Sequence, residues 1–309
     1  MAPSARTILP TDLVALVSYD GRVYSNEAMT RDRIGTNDSP HPLGTAIDQW
    51  FSFATGRHTS ISVQGSTLRG LVSARKRGSR LAWEIDCLIH LADQEHGVLM
   101  ALLDQLTRAT GKSGALRIFV RLPAESDTRD VVMRCGFSPY QTEVAYTRSL
   151  AGESAPSTAD GLRRRAKSDL YGLFRLYNAV VPHNVRSSEA LTFAEWSAAQ
   201  ERIGKAAQYV VERDGDVRGW LRVARDGDIA RFDLLAEHEA IDGLLESALA
   251  KAAGCRSVHT IVPAHDTAVR GRLEELGFSE ADQYTVMARR TVRFIKAPRA
   301  VSVLAHTPG

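Results

Sequence analysis

The sequence repeats itself. Leu68-Arg69-Gly70-Leu71 returns as Val217-Arg218-Gly219-Trp220, and Leu81-Ala82 returns as Ile229-Ala230 one turn later. RLPAES (Arg121–Ser126) and TIVPAHD (Thr260–Asp266) share Pro-Ala after a strand-like run. MRCGFSPYQTEVAYTR (Met133–Arg148) and EELGFSEADQYTVMARR (Glu274–Arg290) share Gly-Phe-Ser and then a strand. One order of motifs carried twice predicts two copies of one fold. A chain of 309 residues has room for two ordinary domains.

Hydrophobic periodicity gives the elements of each copy. In the first, Thr59–Val63 and Thr67–Ala74 alternate on either side of Gln64-Gly65-Ser66, and Lys76–Ser79 turns into a third strand over Arg80–His90. Val98, Leu99, Leu102, Leu103 and Leu106 recur at helical spacing. Gly111–Gly114 breaks that helix, Leu116–Leu122 is a strand, Arg129–Arg134 a short helix closed by Gly136, and Glu143–Thr147 a last strand. In the second copy, helices over Ala166–Val180 and Phe193–Ile203 flank a loop at Pro182–Glu189. Strands follow at Gln208–Glu212, Val217–Val223 and Ile229–Leu235, then a helix at Ile241–Lys251 and a strand at Ser257–Val262. A helix ending at Leu276 and a final strand from Gln283 complete it. Ahead of both, Leu13–Ser18 reads as a strand, Arg33–Leu43 as loop and Thr45–Phe53 as a short helix.

The fold class is therefore α+β: two tandem mixed sheets, each mostly antiparallel, with helices on both faces. Residues 1–148 form the N-terminal domain and 161–297 the C-terminal one. The small, polar stretch 149–160 joins them, and 298–309 is a loose tail. With 44% hydrophobic and 24% charged residues the chain is globular. A net charge of +3 without a Lys/Arg tract disfavours nucleic acid as a partner, and the scattered arginines read as solvated faces. Cys87, Cys135 and Cys255 have neither disulfide nor zinc spacing. No apolar run is of membrane-spanning length, so neither a membrane partner nor a location outside a reducing cytoplasm is expected.

Gln94-Glu95-His96-Gly97 lies where the long helix begins. A helix start has backbone N–H groups without internal partners, and these can hold a phosphate, with glycine admitting close approach. The alternative is a plain turn into a core helix. Nearby, Glu84 and Asp86 sit two apart on a strand, so their side chains share a face. If that face is buried, their pKa values rise toward those of a general base; if it is exposed, they are solvated.

The repeated order, with Gly-Phe after a short helix and Gln94-x-x-Gly97 at a helix start, resembles the GNAT superfamily of N-acetyltransferases from about Leu43 onward. The resemblance implies an acyltransferase that moves an acetyl or other acyl group from acetyl-CoA, or another acyl-CoA, to an amine on a small molecule or peptide. It places the donor against His90, Leu91, Gln94, Glu95, His96, Gly97 and Val98, with Glu84 and Asp86 as candidate bases and Asp233 as a rival. His90 is a base, a phosphate contact or neither, and His96 reads as a solvated helix-start residue. The family's small residue after Gly-x is Leu99 here. The second copy has Ala236-Glu237-His238-Glu239-Ala240-Ile241 in place of the loop, with two carboxylates that would repel phosphate. The first copy is thus the better donor site. The family's acid, a Tyr four residues before Gly-Phe, is Val132 in one copy and Leu273 in the other, leaving Tyr140 and Tyr146 as neighbours. His183, Arg186, Glu189 and Trp196 line an acceptor pocket if the second copy follows the family layout, or form a surface loop with a core Trp. In double-GNAT proteins one copy can be silent. A catalytically silent tandem scaffold that binds a ligand or protein is the alternative function, and a homodimer is possible.

Overall fold

A computed structural model describes residues 5–9, 12, 26–36, 56–64, 67–90, 96–151 and 161–291. The elements expected at Leu13–Ser18 and Thr45–Phe53 lie outside these residues, as do nearly all of the linker and the whole tail.

In the first copy, β1 (Arg6–Thr7), β2 (His58–Gln64), β3 (Thr67–Lys76) and β4 (Ala82–His90) run antiparallel in sequence order. Helix α1 (Gly97–Lys112) follows, then β5 (Arg117–Pro123) parallel to β4, α2 (Thr128–Arg134) and β6 (Ser138–Ser149). The second copy opens with β7 (Leu162–Arg164) and three helices, α3 (Leu170–Val180), α4 (His183–Glu189) and α5 (Phe193–Ala199). The meander β8 (Ala207–Arg213), β9 (Asp216–Asp226) and β10 (Ile229–Ala236) comes next. It leads to α6 (Ile241–Ala252), β11 (Ser257–Pro263) parallel to β10, α7 (Thr267–Glu275) and β12 (Ser279–Arg290).

Three details correct the sequence reading. Pro182–Glu189 is not a loop. Pro182 starts α4, where its missing N–H costs nothing, and Val185 is the helix's one fully buried side chain, too little to show a period. Helix α5 ends at Ala199 instead of Ile203, because Gln200 leaves helical geometry with ψ 115°. Both final strands begin directly after Gly-Phe, at Ser138 and Ser279, with Gly136 (φ 83°) and Gly277 (φ 79°) closing the helices before them.

The repeat survives in backbone detail. Ladder β2–β3 shifts register opposite Ser62/Val63, leaving Arg69 as an extra residue; ladder β8–β9 does the same at Val211/Glu212, leaving Arg218. The glycine after each bulge admits a helix. A Cβ on Gly70 would lie 2.9 Å from Leu102 of α1, and one on Gly219 would lie 2.6 Å from Leu244 of α6.

The two copies do not close separate sheets. The twelve strands among the described residues form one sheet in the order β1-β2-β3-β4-β5-β12-β6-β11-β10-β9-β8-β7. The last strands are exchanged. Strand β12, from the end of the second copy, pairs with β5 of the first, and β6 pairs with β11 of the second. Strands β6 and β12 pair with each other at the centre. Side chains follow the exchange. Met287 of β12 packs in the first copy's core with Leu102, Leu106 and Val132, and Val144 and Tyr146 of β6 pack in the second's with Leu245, Val258 and Phe278.

The exchange makes each copy's last strand the other's support. Residues 1–151 expressed alone leave β5 with a bare edge and β6 without β11. They should show no cooperative urea transition, whereas co-expression with residues 152–309 should restore one. A cooperative monomer of 1–151 would contradict this arrangement.

Candidate active site

Each copy has one parallel strand pair, and each pair is joined at one end only. Strand β4 meets β5 over Ala82–Glu84 and Arg117–Phe119; β10 meets β11 over Ile229–Arg231 and Ser257–His259. Beyond these residues the strands part.

The gap in the first copy is filled by the chain itself. The Asn26 side-chain amide donates to the Asp86 carbonyl at 3.1 Å, and its oxygen accepts from Leu88 N–H at 2.8 Å. Glu27 N–H donates to the Leu88 carbonyl at 3.0 Å, and Met29 N–H to the Arg121 carbonyl at 2.9 Å. Ala28, between them, is buried in the core under α1. Residues 26–29 thus act as a wedge between β4 and β5, and the backbone groups that β4 turns toward β5 are taken.

Among the described residues no backbone segment bridges the gap in the second copy; the Arg31 side chain reaches the Ile261 carbonyl of β11 there. Glu237 N–H donates to the Arg218 carbonyl, which fixes the odd-numbered residues of β10 as those bonded to β9. Phe232 and Leu234 therefore turn their N–H and C=O groups toward β11. Here a cavity of about 140 Å³ lies among β10, α3, α4 and α5, with walls that include Tyr177, Glu189, Trp196, Trp220, Asp233 and Leu235.

A buried ion network forms the cavity floor and continues under the first copy. Arg31 reaches Glu201 at 3.0 Å, Asp233 at 3.1 Å and Glu143 at 2.7 Å, and donates to the Ile261 carbonyl of β11 at 2.8 Å. Arg121 binds Glu143 at 2.6 Å and Glu201 at 2.6 and 2.9 Å. Arg75 joins Glu84 to Asp32, Arg77 joins Glu84 to Glu201, and Arg222 binds Asp233 and the Glu201 carbonyl. Five arginines face five carboxylates. Burial alone would raise Asp233, but Arg222 and Arg31 outweigh it and hold the carboxyl below its ordinary value. In Glu201 burial is likewise outweighed, by Arg121, Arg77 and Arg31, and the carboxyl sits well below its ordinary value.

Glu189 differs. Its described partners are two hydroxyls, Tyr140 at 3.0 Å and Tyr177 at 3.3 Å. Burial pushes its pKa above the ordinary carboxylate value; Arg77 and the Tyr140 hydrogen bond offset this only in part. A carboxylate so placed is suited to proton transfer.

The residues singled out from sequence fall in several places. Glu84 is buried, with Arg75 at 2.6 Å and Arg77 at 3.2 Å, so both of its oxygens are engaged by guanidinium groups. Asp86 is the bulge residue of β4 and pairs with Arg57 at 2.8 Å. His90 Nε2 lies 2.8 Å from Glu27 and 2.7 Å from Thr128 Oγ1, facing the wedge. His96 and Gly97 begin α1 without a side-chain cap, and Val98 is buried beneath them. Leu91, Gln94 and Glu95 lie outside the described residues. Glu189 and Trp196 line the cavity, whereas His183 is exposed at the start of α4. Arg186 is spent on the Val181 carbonyl and Asn178. Tyr146 bonds Glu274, Glu280 and Arg270 on the far side of the second copy, and Tyr140 meets Glu189.

The expectation that the arginines are solvated is overturned: Arg77, Arg117, Arg121, Arg222 and Arg231 are all buried. Sequence reasoning missed Arg31, Glu143, Glu201, Trp220 and Arg222. The one available signal was a charge at mid-strand in an apolar run, as at Arg121, Arg222 and Asp233.

The sequence matches no protein-family model and no curated protein. Its fold has solved counterparts. A GCN5-related N-acetyltransferase from Sphaerobacter thermophilus aligns with a TM-score of 0.57 at 15% identity, over 93% of this chain and 95% of that one. A tandem GNAT protein from the clavulanic acid biosynthesis pathway aligns with a TM-score of 0.50 at 15% identity, over 90% and 93%. Saccharomyces cerevisiae N-myristoyltransferase with bound myristoyl-CoA also gives 0.50 at 15%, over 93% and 78%. The chain has the fold of a tandem GNAT protein, and the mixed, mostly antiparallel sheet expected from sequence is present.

Removing one partner from a buried ion network leaves the others uncompensated, at a cost of about 3–5 kcal/mol. Glu201→Gln should lose that much stability in urea denaturation at pH 7. Because the native Glu201 pKa is depressed, its contribution is present above the ordinary carboxylate range and is lost as pH falls below it. The variant should therefore show a shallower loss of stability on acidification than the parent.

Proposed function

We propose that this protein transfers an acyl group from an acyl-CoA to the amine of a small acceptor, and that transfer takes place in the second-copy cleft. The contrast between the two gaps carries this reading: one is closed by Asn26–Met29, and the other opens onto a cavity beside a weakly partnered carboxylate. The fold neighbours support acyl transfer in general terms, and the yeast enzyme holds an acyl-CoA.

The chemistry follows from the walls. The acceptor amine attacks the thioester carbonyl carbon, a C–N bond forms, the C–S bond breaks, and the sulfur leaves as a thiolate that takes a proton from solvent. Backbone N–H groups of Phe232 and Leu234, turned toward the gap, can hold the carbonyl oxygen as it gains charge. Glu189 takes the proton the amine loses, and Tyr140 and Tyr177 fix its two oxygens. At the donor's phosphate end, Glu239 and Asp242 stand at the start of α6, each paired with an arginine, Arg213 at 3.7 Å and Arg272 at 2.9 Å. Those carboxylates favour the second reading, a silent scaffold, to the extent that the arginines fail to offset them.

Two measurements separate the readings. Acetyl-CoA at a hundred times its dissociation constant should stabilise the fold by about 2.7 kcal/mol. Gly97→Glu, at the start of α1, should leave that shift intact; if it abolishes the shift, the donor binds in the first copy, against Gly97 and Val98. No shift with any acyl-CoA favours the scaffold.

Glu189→Gln should keep the shift and lower kcat by about 10²- to 10⁴-fold, the usual worth of a general base. In the parent, the rate should rise with pH through a value above the ordinary carboxylate range, since only ionised Glu189 accepts a proton and burial raises its pKa. Unchanged turnover in the variant removes Glu189 from the mechanism.

A further inference from the structure

Glu189 belongs to the second copy, but one of its two oxygens is held from the first half of the chain. Resting on Glu189 as the base of the proposed transfer, we infer that Phe119 of β5 is a positioning residue for it. Phe119 acts through Tyr140: its ring fixes the Tyr140 ring, and the Tyr140 hydroxyl fixes the carboxylate.

The contacts run in one line. Tyr140 donates to Glu189 Oε1 at 3.0 Å. Its ring meets Phe119 with centroids 6.4 Å apart and planes at 67°, a favourable edge geometry. Phe119 is wholly buried and packs with Ala82, Ala198, Ala199 and Ala288. Arg77, in the turn after β3, lies over the Phe119 ring, 4.1 Å from its centroid. Glu84 at 3.2 Å, the Ala199 carbonyl at 3.3 Å and Glu201 at 3.8 Å hold that guanidinium. Beside it, Gly78 N–H donates to the Ala198 carbonyl at 2.8 Å, and a Cβ on Gly78 would lie 2.2 Å from the Ser197 carbonyl. The turn is therefore seated directly against α5, and Phe119 has a fixed cation over it and Tyr140 next to it. Tyr177, on the other oxygen, stacks on Phe174 and tilts against Trp196, all within the second copy. Each oxygen of the base is thus positioned by a different half of the chain.

The line of contacts controls the charge on Glu189. A hydrogen bond donated to a carboxylate favours its ionised form. Glu189 faces Tyr140 and Glu143 from β6, Tyr177 from α3, Arg77 from the turn after β3, and Arg31 from the segment before β2. Burial and Glu189 itself push the Tyr140 hydroxyl well above its ordinary value, so it remains a donor. If Tyr140 is loosened, the carboxyl keeps its proton to higher pH and is a poorer base below it.

The test is the pH titration of Glu189 in the full chain, without acyl-CoA or amine. It is followed by the carboxylate infrared band, which Glu189→Gln identifies. Tyr140→Phe should raise the midpoint by about one pH unit, the scale of one hydrogen bond to a charged group. Phe119→Leu, or Phe119→Met if the first does not fold, should move it in the same direction. In the Tyr140→Phe background the Phe119 substitution should add nothing, because the path it acts by is gone. Leu102→Ala, a core change in α1, should lower stability without moving the midpoint. In acyl transfer, Phe119→Leu should depress kcat at low pH and recover it at high pH, with the amine KM there unchanged. An unmoved midpoint in the Phe119 variants, or an equal shift when Tyr140 is already Phe, overturns the inference. The titration needs no turnover, so an inactive protein showing these shifts sinks the proposed function alone. An active one whose Glu189 ignores Phe119 sinks this inference alone.

Discussion

The structure depends on one buried network of charge, centred on Glu201. Its carboxylate receives both terminal nitrogens of Arg121, the Nε of Arg31 and, at longer range, Arg77. Glu201 belongs to the loop after α5, Arg121 to β5, Arg77 to the turn after β3, and Arg31 to the segment before the first meander. Removing such groups from water costs several kcal/mol per ion, and that cost is met only when every lone pair and every N–H finds a partner. Parts of the chain far apart in sequence must therefore arrive together. The network acts less as a source of net stability than as a condition on the fold, since an arrangement lacking one member leaves a buried charge exposed to its own desolvation.

That condition helps explain why the copies share one sheet. Glu143 is on the exchanged strand β6 and meets Arg121 of the first copy from a position beside β11 of the second. Were β6 to pair beside β5 within its own copy, Glu143 would no longer sit midway between Arg121 and Arg31. The same reasoning covers the wedge. Residues 26–29 close the β4–β5 gap, and two residues later Arg31 reaches across to Asp233 and Ile261 at the second gap. One segment closes the first cleft and furnishes the floor of the other.

Much of the plan was legible in the sequence because it rests on local rules. Alternation gave the meanders, the apolar stripe gave α1, and Gly136 and Gly277 marked the helix ends through the left-handed backbone they adopt. The repeated Arg-Gly was legible as a repeat, whereas the bulge and the helix seat it makes in both copies emerge only from the structure. What escaped is nonlocal. A helix such as His183–Glu189, with Val185 as its buried residue, has no period to detect. Arg121 and Arg222 look like any charged residue until the opposite carboxylate is known. Asn26 lies 60 residues from the Asp86 carbonyl it binds, and no spacing rule joins a side-chain amide to a strand gap that has not yet formed. Of the candidate residues, Glu189 and Trp196 line the cavity. Glu84 was read correctly as a carboxylate on a strand, but its two arginines could not be inferred from that strand.

The cavity beside β10 is not built by one copy alone. It takes Trp220, Asp233 and Leu235 from the second meander and Tyr177, Glu189 and Trp196 from its helices. It also takes Arg31, Arg77, Gln141 and Glu143 from the first half of the chain, and Tyr140 of that half holds one oxygen of Glu189. First-half residues reach the gap between β10 and β11 because strand exchange brings β6 alongside β11. Closure of the first cleft is then no sign of a discarded half. The first copy gives up its own opening, and the residues it contributes instead complete the walls of the second.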